Sequence, residues 1–83
     1  MELVFVGITN PNEMVKLSID RTNKKLVVTS SKTGYKSIET PWKKLFDPGR
    51  ETVQDNITSK MDDNQFKQTI SMGMFRAGYH PKC

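Results

Sequence analysis

Met14-Val-Lys-Leu-Ser-Ile-Asp-Arg-Thr-Asn-Lys-Lys-Leu-Val-Val-Thr-Ser30 carries two apolar alternations separated by a polar centre. Val15, Leu17 and Ile19 alternate with Lys16, Ser18 and Asp20, and the return run sets Leu26 and Val28 against Lys25, Val27 and Thr29. A period of two places successive side chains on opposite faces, so the stretch predicts a β-hairpin with one apolar face and one face of lysines and hydroxyls. Arg21-Thr22-Asn23-Lys24 supplies the turn, with Asn23 expected at a positive φ because its short amide tolerates the left-handed region.

Outward from the hairpin, Leu3-Val4-Phe5-Val6-Gly7-Ile8 is apolar at nearly every position and predicts a central strand covered on both faces. Thr9-Asn10-Pro11-Asn12 breaks it. On the other side, Ser31-Lys32-Thr33-Gly34 reads as a second turn and Tyr35 to Thr40 as a further short strand. Residues 1–40 thus form an antiparallel meander of three or four strands.

At Thr40 the pattern changes. Thr40 and Pro41 suit an N-cap and first helical position, since proline lacks the amide that would go unpaired there. Trp42, Leu45 and Phe46 follow at helical spacing, and Asp47-Pro48-Gly49 ends the turn. Val53, Ile57 and Met61 are four apart and favour a short helix, although Asn56-Ile57-Thr58 fits an extended segment equally well. Residues 41–61 therefore make a short helix and loop.

A C-terminal helix over residues 62–78 has firmer boundaries. Asp62 caps it with Gln65 three positions on, and Gly78 stands where a left-handed residue ends it. Phe66, Ile70, Gly73, Met74 and Ala77 share the face expected to lie on the sheet, with the two small residues permitting close approach. Met72 and Phe75 fall on a second apolar stripe. Either residues 41–61 fold over that stripe, or Met72, Phe75 and Tyr79 meet a protein partner or a second copy of the chain. Residues 79–83 read as a tail. The expected architecture is one α+β domain with a helix packed on one sheet face.

Composition narrows the function. The chain has 83 residues, 35% of them hydrophobic, no repeat and no low-complexity tract. A domain of this size buries only about 60–65% of its unfolded surface. No apolar run reaches the roughly 18 residues of a membrane span, and Met1-Glu2-Leu3-Val4-Phe5 has no cationic leader, so a cytoplasmic protein is expected. One cysteine, Cys83, permits no internal disulfide. His80 and Cys83 are too few for a closed zinc site or a nucleophile with its base. Asp62 and Asp63 suit a helix start better than paired catalysis. Lys32-Thr33-Gly34 has no Ser-x-x-Lys beside it, and no phosphate-binding glycine loop is present. A non-enzyme without cofactor or metal is expected.

The net charge of +4 is concentrated. Residues 16–44 carry eight basic and two acidic side chains, while residues 45–83 balance five against five. Lys16, Arg21, Lys24, Lys25, Lys32, Lys36, Lys43 and Lys44, interleaved with Tyr35, form the candidate RNA-binding set, because cations neutralise phosphates and rings stack on unpaired bases. Trp42 reads either as core or as a stacking platform. Lysines at sheet edges also discourage strand-to-strand association, which accounts for part of this charge without any ligand. The rival reading is a protein-protein module whose basic face docks on an acidic enzyme surface.

In length, charge and the lack of catalytic residues, the whole chain resembles the small early proteins of T-even-like bacteriophages. Nearest in kind are inhibitors that silence host endoribonuclease toxins of toxin-antitoxin systems, sometimes with RNA in the complex. The resemblance implies host defence evasion in the host cytoplasm, with RNA on the basic hairpin side and a ribonuclease on the apolar helix stripe. It assigns no individual residue.

Overall fold

A computed structural model describes residues 1–82, and Cys83 lies outside the described residues. Five antiparallel strands, β1 (Glu2–Gly7), β2 (Met14–Asp20), β3 (Lys25–Ser30), β4 (Ser37–Thr40) and β5 (Tyr79–Pro81), form one sheet in the order β4-β3-β2-β1-β5. Helices α1 (Glu51–Thr58) and α2 (Asp63–Arg76) complete an α+β fold.

The hairpin lies where its alternation puts it. Leu17 faces Val28 and Ile19 faces Leu26, so the apolar positions of both strands share one face. Leu3 and Phe5 of β1 join them opposite Leu17 and Val15. α2 lays Phe66 and Ile70 over this face, and Phe5, Leu17, Ile19, Leu26, Phe66 and Ile70 form the buried cluster. The helix starts beside the hairpin turn, where Arg21 meets Asp63, and ends at the far side, where the Ile8 amide donates to the Gly78 carbonyl. Its N-terminus carries the reciprocal cap: the Gln65 amide donates to Asp62 Oδ1 at 2.8 Å and the Asp62 amide to Gln65 Oε1 at 3.4 Å. Gly78, at φ 96°, follows the helix as the left-handed residue that turns the chain.

Several expectations are corrected. The sheet has five strands, because Tyr79–Pro81, read as tail, pairs with Phe5–Gly7 as β5. Lys24, at φ 52°, takes the left-handed position of the hairpin turn. Asn23 instead donates its side-chain amide to Asp20 Oδ2 at 2.8 Å. This amide contact foremost, then the Asn23 backbone, holds the Asp20 carboxyl below its ordinary range. Pro41 is the N-cap of a 3₁₀ turn over Trp42–Leu45, while the Thr40 hydroxyl donates to the Ile38 carbonyl. β1 is an interior strand, but only its Leu3 and Phe5 face lies under the helix; Val4 and Val6 remain half-buried on the open face. Gly73 does not bring α2 close to the sheet, since a Cβ there would meet nothing within 4 Å. Nor do residues 41–61 cover the second stripe, which leaves Met72 and Phe75 exposed at 63% and 62%. The segment that reads as either helix or extended is helical through Thr58. Among the described residues no helix is long and apolar enough to cross a membrane.

Candidate nucleic-acid interface

The structure divides the basic residues between opposite ends of the sheet. Lys32, Tyr35 and Lys36 lie in the β3–β4 connection; Arg21, Lys24 and Lys25 lie at the β2–β3 turn, about 20 Å away along the six residues of β3. Lys43 and Lys44 follow β4 in the 3₁₀ turn. Lys16 sits mid-strand on the open face.

Three of these cations are occupied. Lys16 pairs with Glu2 at 3.4 Å, and its ammonium is the main cause of the depressed Glu2 carboxyl. Lys24 pairs with Asp55 at 2.8 Å. Arg21 is the most committed: Nη1 donates to Asp63 at 2.8 Å, and Nη2 donates to the Thr58 and Met61 carbonyls at 2.9 and 2.7 Å. Its guanidinium also lies 4.4 Å from the Phe66 ring centroid. Arginine's planar fork suits this divided task, closing the α1–α2 connection onto the hairpin turn.

Trp42 belongs to the same structural knot. Its ring stacks on Phe66 with centroids 6.5 Å apart and planes 17° apart, and it meets Phe46 edge-on at 6.2 Å. The indole N–H donates to Asp55 Oδ1 at 3.0 Å. The Lys24 ammonium first, and this indole second, lower the Asp55 carboxyl below its usual range. Trp42 is therefore half-buried core, with its one polar group satisfied. A cavity of about 400 Å³, lined by Arg21, Lys24, Trp42, Asp55 and Asp63 among others, is not a site awaiting a polar ligand, because its charged groups already satisfy one another.

The remaining cations are different: Lys32 and Lys36 lie at the opposite end of the sheet, while Lys25, Lys43 and Lys44 share the hairpin-turn end, because Thr40 faces Leu26. Among the described residues, Lys25, Lys32, Lys36, Lys43 and Lys44 form no ion pair. Ser31–Thr33 makes a 3₁₀ turn, and Gly34 at φ 67° ends it. Tyr35 follows, also left-handed at φ 63°, with its amide donating to the Ser30 carbonyl at 2.9 Å and its side chain 57% exposed. Such a φ is costly for a residue with a bulky Cβ substituent, and asparagine or glycine would meet the turn's needs with less strain. The ring is no part of the core cluster or of the residues packed against it.

β4 links this loop to Lys43 and Lys44, over roughly 13 Å of strand. The alternation of the ladder fixes the strand's outer edge. Gly7 donates to Glu13 and Ile19 to Met1, so odd-numbered β2 residues bond to β1 and even-numbered ones to β3. The same alternation carried through β3 leaves the main-chain groups of Ser37 and Glu39 facing outward. At the other margin, Lys82 bonds to Val4 and Gly78 to Ile8, which turns Tyr79 and Pro81 outward. Pro81 has no N–H, so the β5 edge is blunted while the β4 edge keeps donors and acceptors.

Of the second set, Met72 and Phe75 share an exposed stripe, but Tyr79 does not: it is half-buried in β5, its hydroxyl 3.3 Å from Glu13 Oε2. Sequence reading missed the outward main chain of Ser37 and Glu39, for which strand parity is the only signal. Comparison with known proteins finds no matching family model, no matching curated protein and no matching solved structure.

Proposed function

We propose that this is a non-enzymatic RNA-binding protein whose contact surface is the β4 margin, with Lys32, Tyr35 and Lys36 at one end and Lys43 and Lys44 at the other. The observation that carries the reading is the contrast in charge use. Arg21 and Lys24 at the hairpin turn are consumed by Asp55, Asp63 and main-chain carbonyls, whereas the lysines that flank β4 have no internal partner among the described residues. Lys25, just before the Leu26 that faces Thr40, adds to the far end. Arg21, Lys24 and Lys16 drop out of the proposed contact set because binding RNA would break their internal pairs.

The test is salt-dependent binding of a randomised single-stranded RNA decamer. Replacing Lys32, Lys36, Lys43 and Lys44 with glutamate weakens binding and lowers the slope of log K against log salt by about 3, from roughly 0.7 per phosphate contact. Charge reversal at Lys60 and Lys67, on the helical side, leaves both unchanged. Unaltered affinity in the first variant contradicts the proposal.

A second reading, inhibition of a host enzyme by direct contact, is favoured by the exposure of Met72 and Phe75 on one helix face. In the phage-inhibitor case the two surfaces act together, RNA on the β4 margin and a ribonuclease on α2. Phe75→Asp would then abolish capture of a candidate toxin without altering RNA affinity.

A further inference from the structure

We infer that the RNA taken by the β4 margin is single-stranded, with an unpaired base stacked on Tyr35. This inference rests on the RNA-binding reading and names its ligand class. A ring held at φ 63°, 57% exposed, is presented to solvent at a conformational cost the turn does not require. Lys32 and Lys36 flank it within the same short connection. Cations beside an exposed aromatic ring suit phosphates on either side of one stacked base, and stacking needs a base free of its duplex.

The neighbouring strand supports the same ligand. The outward amides and carbonyls of Ser37 and Glu39 are donors and acceptors in alternation, which base edges can meet when no complementary strand covers them. A duplex offers a continuous phosphate surface and buries its bases; it could use the lysines but not the ring or the strand edge. Glu39 is the only acid on β4 and forms no ion pair among the described residues. Its carboxylate keeps phosphates towards the ends of the strand.

The experiment is fluorescence anisotropy with a labelled randomised RNA decamer and with an RNA duplex of equal length, on wild type, Tyr35→Phe and Tyr35→Asn. Asparagine keeps the left-handed turn and removes the ring, and circular dichroism checks its fold. The expected result is single-stranded binding at least tenfold tighter than duplex binding. Tyr35→Asn loses about tenfold on the single strand and nothing on the duplex, the scale of one stacked base, while Tyr35→Phe retains wild-type affinity. Equal affinity for the two RNAs, or an unaffected Tyr35→Asn, overturns the inference. If the four-lysine variant still loses binding in that case, RNA binding itself stands. Failure of wild type to bind either RNA, or displacement of the RNA by oligoglutamate at equal charge, overturns both.

Discussion

Arg21 and Tyr35 were candidates for the same task, and the structure gives them opposite situations. Arg21 closes two main-chain carbonyls and a carboxylate over the Phe66 ring, so Arg21→Ala leaves two part-buried carbonyls without their donor and strips the ring of its guanidinium cover. The expected loss is about 3 kcal/mol in urea unfolding, since each hydrogen bond to a charged group contributes on the order of 1.5–3 kcal/mol. Tyr35 has the reverse balance. Tyr35→Asn relieves the left-handed backbone and should raise stability by about 1 kcal/mol, a shift of roughly 4–8 °C in melting temperature for a domain this size. Lower stability in that variant would show that the ring contributes to packing. Asp55 gives a pH signature. Its folded pKa is depressed, chiefly by Lys24, so its contribution is fully present above the unfolded value near 3.9 and is lost as pH falls through the folded value. The stability gap between wild type and Asp55→Asn should therefore be larger at pH 7 than at pH 3; a constant gap would contradict the Lys24 pairing. At this scale sequence named the cations but not their use. Nothing local to Arg21 or Lys24 says that Asp63 and Asp55 return to them from distant positions.

Elements were legible where their pattern is local. The hairpin was readable because a period of two runs through both arms, and the start of α2 because Asp62 and Gln65 make a reciprocal cap within one turn. β5 was not, because Tyr-His-Pro has no alternation and its pairing with β1 spans most of the chain. The turn after β4 is 3₁₀ and not α-helical, since the spacing of Trp42, Leu45 and Phe46 fits either at that length. At Gly73 residue type and packing disagree. Small size suggested close packing, yet a methyl group there enters open space. Gly73→Ala should stabilise α2 by about 1 kcal/mol, which equilibrium denaturation measures directly; a loss would mean that the helix does approach its neighbours there. Gly7 behaves oppositely. A Cβ at Gly7 would stand 2.5 Å from the Asn10 carbonyl oxygen, so Gly7→Ala should destabilise the turn between β1 and β2.

Over the whole molecule, the excess charge that looks continuous in residues 16–44 falls into two unlike groups, one tied up beside the hairpin turn and one strung along β4 from end to end. One is a cross-linked knot of Arg21, Lys24, Asp55, Asp63, Trp42 and Phe66; the other is a margin of lysines around a strained, exposed tyrosine. Sequence charge names the cations, but only the fold decides which of them keep an internal partner. Neutralising the single acid of that margin, Glu39→Gln, should tighten RNA binding by a few fold at low salt, with the gain disappearing as salt screens the charge. The most direct measurement is a ¹⁵N–¹H amide shift map of the protein titrated with the randomised RNA decamer. Binding at the β4 margin would centre the shifts on residues 32–40 and on Lys43 and Lys44, and leave the amides around Arg21, Asp63 and Phe75 unmoved. Shifts centred on residues 21–24 and 55–63, or on the Met72 and Phe75 stripe, would contradict it.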